Sequence, residues 1–142
     1  MKRNELKKQA IEALENYNSM CIAEENLKEE LEATEEMLNK LSIQGSIAAL
    51  GDIELEALRA KRDNLQGRIG LLVAKKHSVE RSIAALPALE QTVLRRFFIT
   101  PKRKGSAESL MEEMDYEKTQ IYRIRERALR RFAINLFGIE CA

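Results

Sequence analysis

The chain has no tryptophan, a single histidine, two cysteines and two prolines in 142 residues. With His77 alone and Cys21 far from Cys141, no four-ligand zinc constellation is available, and both thiols read as small buried or idle residues. No stretch approaches the roughly 18 apolar residues of a membrane span, and the opening Met1-Lys2-Arg3-Asn4-Glu5-Leu6 lacks the apolar centre of a signal peptide. A reduced, cytoplasmic protein with no membrane partner is expected. A Gly-rich phosphate loop and a Ser/His/Asp set are also missing, and the many carboxylates sit at ordinary helix-surface spacing, so a non-enzymatic protein without a cofactor is expected.

Aromatics make up 5% of the residues and charged side chains 33%, a composition of long helices rather than of sandwiches or barrels. The net charge of +1 conceals an asymmetry. Residues 1–86 carry 13 basic and 15 acidic groups, residues 87–142 carry 11 and 8, and the stretch from Lys118 to Arg131 holds six cations against the one acid Glu126. Such a basic stripe on one helix is either a solvated face or a footprint for a polyanion.

From Leu6 the spacing of four and three reads Leu6, Ala10, Ala13, Tyr17, Met20, Glu24, Leu27, Leu31, Thr34, Leu38, Leu41, which is the narrow apolar seam of a coiled coil. Residues 42–52, with Gly45, Gly51 and the candidate cap Asp52, read as a turn. The spacing resumes as Leu55, Leu58, Arg62, Leu65, Ile69, Leu72, Lys76, Val79, Ile83, Leu86. An antiparallel hairpin about 50 Å long follows from a rise of 1.5 Å per residue, and its thin seam allows a homodimer through the same hairpin. The polar seam residues Glu24, Thr34, Arg62 and Lys76 either fix register or lean out to solvent. Gly67 and Gly70 interrupt the second helix, as a close approach, a bend or tolerated defects.

Pro87 opens a second module. A helix to about Ile99 carries Leu89, Val93 and Phe97 on one face, and the basic loop Thr100-Pro101-Lys102-Arg103-Lys104-Gly105 leads to Ser106, a candidate cap. A short helix to Met114 buries Leu110, Met111 and Met114, the connection Asp115-Tyr116-Glu117 follows, and a last helix with Ile121, Ile124, Ala128, Phe132 and Leu136 inward ends at Gly138. The expectation is therefore an all-α chain: residues 1–86 a helical hairpin for oligomerisation or partner binding, residues 87–142 a three-helix unit with a helix-turn-helix pattern.

The outward face of the last helix presents donors suited to duplex DNA. Lys118, Thr119, Gln120, Tyr122 and Arg123 occupy its first turns, where a recognition helix reads base edges. Arg95, Arg96, Lys102, Arg103, Lys104, Arg127, Arg130 and Arg131 suit phosphates, which set affinity and position.

The run Leu86-Pro87 … Val93-Leu94 … Gly105-Ser106 … Leu110 … Met114-Asp115-Tyr116-Glu117-Lys118-Thr119-Gln120-Ile121 … Arg123-Ile124 … Arg127-Ala128-Leu129 resembles region 4 of bacterial sigma factors. It is especially similar to the ArpU- and RinA-type sigma-like regulators of phages and prophages. The resemblance covers about residues 86–138. It implies a sequence-specific transcription regulator of double-stranded DNA, with RNA polymerase as a further partner and Lys118, Thr119, Gln120, Tyr122 and Arg123 facing the bases. The sequence departs from the family pattern with Ser109-Leu110-Met111 in place of Glu-Ile-Ala, Asp115 in place of the turn glycine and Glu117 in place of the serine cap. Two other readings compete: a small-terminase-like DNA-packaging component, which a ring in solution would favour, and a coiled-coil adaptor binding protein through Glu108, Glu112 and Glu113.

Overall fold

The computed structural model describes residues 3–43, 49–100 and 105–138. The chain is all-α, built of helices α1 (Arg3–Glu15), α2 (Tyr17–Ile43), α3 (Ala49–Ala84), α4 (Ala88–Leu94), α5 (Ser106–Met114) and α6 (Lys118–Phe137), with a π-helical segment Arg95–Ile99 running on from α4. No helix among the described residues is long and apolar enough to cross a membrane.

The seam expected from Leu6 to Leu41 does not form one helix. It is interrupted at Asn16, although the Asn16 N–H still donates to Glu12 O at 2.9 Å. Asn competes with helical hydrogen bonding through its own side chain, and Asn16 marks the point where the buried stripe changes spacing. In α1 the buried residues are Leu6, Ala10 and Leu14, four apart, whereas the expected Ala13 is only half-buried. The compact units follow this break rather than a boundary at residues 86–87: one holds residues 1–18 and 76–142, the other residues 19–75.

In the unit of residues 19–75, α2 and α3 pair antiparallel, with Lys61 Nζ 3.3 Å from Glu30 Oε1. Leu38, Leu65 and Thr34 are buried and the other apolar seam residues half-buried, as a two-helix seam requires. Thr34 Oγ1 donates to Glu30 O at 2.8 Å, so its hydroxyl is satisfied within its own helix and does not specify register. Arg62 reaches outward to Asp63 at 3.3 Å. The turn is shorter than residues 42–52: α2 runs to Ile43, and Gly51 and Asp52 lie inside α3 rather than Asp52 preceding it as a cap. Gly45 lies outside the described residues. Nothing stands within 4 Å of a Cβ added at Gly67 or Gly70, which removes the close-approach reading.

In the unit of residues 1–18 and 76–142, α6 is the central element, packing against α1, α4 and α5. Val93, Ala107, Leu110, Ile121 and Ile124 form a buried cluster, flanked by Leu89, Phe97, Met111, Met114 and Tyr122. Phe132, Leu94 and Leu14 are fully buried, and each large apolar side chain so buried contributes about 1.5–3 kcal/mol. Pro87 is the N-cap of α4 rather than part of its first turn, with φ −56° and ψ 149°. The helix expected to reach Ile99 widens at its end, where Thr100 N–H donates to Arg95 O at 2.8 Å, five residues back. Asn18 Nδ2 closes that end by donating to Ile99 O at 2.6 Å.

Candidate nucleic-acid interface

The α5–α6 connection is set by Asp115 and Glu117. Asp115 adopts the left-handed conformation (φ 57°, ψ 37°), with its N–H donating to Met111 O. Asp is among the few residues with a side chain that tolerates this region, so it performs the task of a turn glycine. Glu117 is the N-cap of α6 in a capping box with Gln120: the Glu117 N–H donates to Gln120 Oε1 at 3.0 Å. The cap is thus made with Glu117, although serine is the stronger intrinsic choice. Gly138 ends α6 at φ 67° with its N–H on Ile134 O. The expected cap Ser106 behaves otherwise: Gly105 is the N-cap of α5, and Ser106 Oγ donates to Arg96 O at 3.0 Å.

Of the residues assigned to base reading, Lys118, Thr119, Gln120 and Arg123 are exposed on the leading turns of α6. Lys118 Nζ stands 3.8 Å from Glu108 Oε1, a loose surface pair. Gln120 is already engaged in the cap. Tyr122 departs from the expectation: it is half-buried, its ring 5.8 Å from that of Phe97 and the Arg125 guanidinium 4.6 Å above it. Its position one residue past Ile121 places it on the flank of α6 that meets the widened end of α4, so it is a packing residue.

The phosphate set divides more sharply. Arg95 and Arg130 are exposed, as is the base-reading Arg123, and none of the three has an ion-pair partner among the described residues. Arg96 instead makes a two-pronged pair with Glu113, both bonds 2.9 Å, and donates to Ser109 Oγ at 2.7 Å, its side chain 15% exposed. That geometry clamps the π segment to α5 and takes Arg96 away from phosphates. It also commits Glu113, a residue of the adaptor reading. Arg131 donates to Glu90 Oε2 at 2.8 Å, and Arg127 Nε lies 3.6 Å from the same oxygen. Glu90 is 1% exposed, so Arg131 serves first as its counter-charge, while Arg127 is a looser second one with its side chain 54% exposed. Lys102, Arg103 and Lys104 lie outside the described residues.

Three residues were not assigned roles from the sequence: Glu90, Arg125 and Glu126. Arg125 lies over Phe97 at 5.1 Å and bonds Glu126 at 3.0 Å, so one cation of the basic run is spent on packing. Glu126 also pairs with Lys7 at 2.7 Å, tying α1 to α6. Burial raises the Glu126 pKa, but the hydrogen bonds and charges of Lys7 and Arg125 outweigh it and hold the carboxyl below its usual value. A lone acid inside a basic stretch was the available signal for Glu126, while the burial of Glu90 had none.

What remains outward on α6 is a stripe of Thr119, Arg123, Arg127 and Arg130, at spacings of four, four and three, with Lys118 at its head. No family model matches the chain, and neither the curated proteins nor the solved structures contain a match to it.

Proposed function

We propose that the chain is a sequence-specific DNA-binding regulator of transcription, in which α5 and α6 act as a sigma region 4-like helix-turn-helix of the kind encoded by phages and prophages. The observation that carries this reading is the bare leading end of α6, where Lys118, Thr119 and Arg123 are exposed and continuous with Arg127 and Arg130. Arg123 and Lys118 suit guanine O6 and N7, and Thr119 suits a thymine methyl. Arg95, Arg127 and Arg130 suit phosphates. In this reading the protein acts in the cytoplasm on double-stranded DNA, RNA polymerase is the further partner that a sigma-like role implies, and the chain performs no covalent chemistry.

The test is selection of bound sequences from a random duplex pool, followed by salt titration of the enriched sequence. The expected outcome is a defined motif with binding that falls as salt rises, with a log–log slope of about −4 to −5 for about five neutralised phosphates. Absence of enrichment together with no retention of any duplex at low salt rejects the reading.

A further inference from the structure

Beside its seam, the hairpin unit carries an open apolar groove of about 540 Å³, lined by Met37, Lys40 and Leu41 from α2 and by Glu54, Ala57 and Leu58 from α3. Met37 is 53% exposed there, one of several large apolar side chains that this unit leaves open to water, with Ile22, Ile43, Ile53 and Leu71. The two polar residues of the groove have opposite charge and come from opposite helices. Neither Lys40 nor Glu54 has an ion-pair partner among the described residues.

We infer that this groove is a self-pairing surface whose occupant is the same groove of a second copy of the chain. A two-fold contact presents a patch to itself, so the patch must be complementary to its own rotated image. One cation and one anion flanking an apolar floor meet that condition: Lys40 faces Glu54 of the partner subunit, and Glu54 faces Lys40 of the partner subunit, while Met37, Leu41, Ala57 and Leu58 lose water. The wider charge pattern agrees. Residues 19–43 carry seven acids and two bases, residues 53–75 three acids and five bases, so α2 of one copy beside α3 of the other repeats between chains the attraction that Glu30 and Lys61 make within one. A partner of single charge sign would set a like charge against either Lys40 or Glu54.

The experiment is the solution mass of the full chain without DNA, by light scattering or sedimentation. At about 100 μM the wild type is expected at twice the chain mass of 16.3 kDa. K40E and E54K each set like charges against one another twice per dimer, so each variant alone dissociates at least roughly tenfold more readily. An equimolar mixture of the two restores the dimer, because one chain then supplies both anions and the other both cations. Helical circular dichroism of each variant and recovery in the mixture separate loss of pairing from loss of folding. A monomeric wild type, a mass above two copies, single variants that pair like the wild type, or a mixture that stays monomeric overturns the inference.

Discussion

Arg131 on α6 donates to Glu90 on α4 at 2.8 Å, and the carboxylate it reaches is 1% exposed, with Oε1 lacking a hydrogen-bond partner. A cation that the basic run assigns to phosphate therefore neutralises a buried acid. Removing that charge's counterpart leaves a polar group stranded, whereas replacing Glu90 removes the need for the arginine. Arg131→Ala is expected to destabilise the protein by about 1–3 kcal/mol, since the arginine is half-exposed and Arg127 remains near. Urea unfolding checks this, and an unchanged midpoint would show that the pair contributes nothing.

The two faces of the C-terminal unit separate by mutation. Arg123→Ala is expected to relax base preference in the selected motif, and Arg130→Ala to weaken all duplexes alike by about one unit of salt slope. Arg96→Ala is expected to lower thermal stability by about 1–3 kcal/mol through loss of the Glu113 and Ser109 bonds, with no change of preference. Equal effects of Arg123→Ala and Arg130→Ala on selected and random DNA would remove the division between reading and anchoring.

Acid should act through Glu126. Its carboxyl is held below the usual 4.5 by Lys7 and Arg125, so the folded chain binds a proton less readily than the unfolded one. The stabilisation is fully present above that usual value and is lost as the pH falls through the lowered one. The melting-temperature gap between wild type and Lys7→Ala is expected to be present at neutral pH and to close on acidification. A gap independent of pH would assign the Lys7 effect to packing alone.

Gly67 and Gly70 lie in α3 with open space around the added methyl. Replacement by Ala is expected to stabilise by up to about 1 kcal/mol each, seen as a higher melting temperature. A decrease would mean that these positions face a neighbour in the assembled protein.

Helix period and punctuation made most elements legible. Leu38, Leu65, Val93, Leu110, Ile121, Ala128 and Phe132 are buried where the spacing puts them, and Gly138 ends α6 as expected. What spacing could not carry was partnership. A seam of Leu6, Ala10 and Leu14 reads alike whether it faces α3 or α6, because period names a face and not its neighbour. The same blindness extends to Arg96, Arg131 and Tyr122: a guanidinium or a phenol has the same one-dimensional signature whether it awaits a ligand or braces Glu113, Glu90 or Phe97. The widened turn at Arg95–Ile99 had no compositional mark either.

Because Leu6, Ala10 and Leu14 are housed by elements far along the sequence, α1 has to wait for the Arg95–Ile99 segment and α6 before its apolar side is sheltered. Dissection is constrained in the same way: a piece begun at residue 87 would strip Lys7 from Glu126 and Asn18 from Ile99, leaving α6 bare along one flank. Excising that unit for study thus calls for keeping residues 76–142 and grafting residues 1–18 back through a linker.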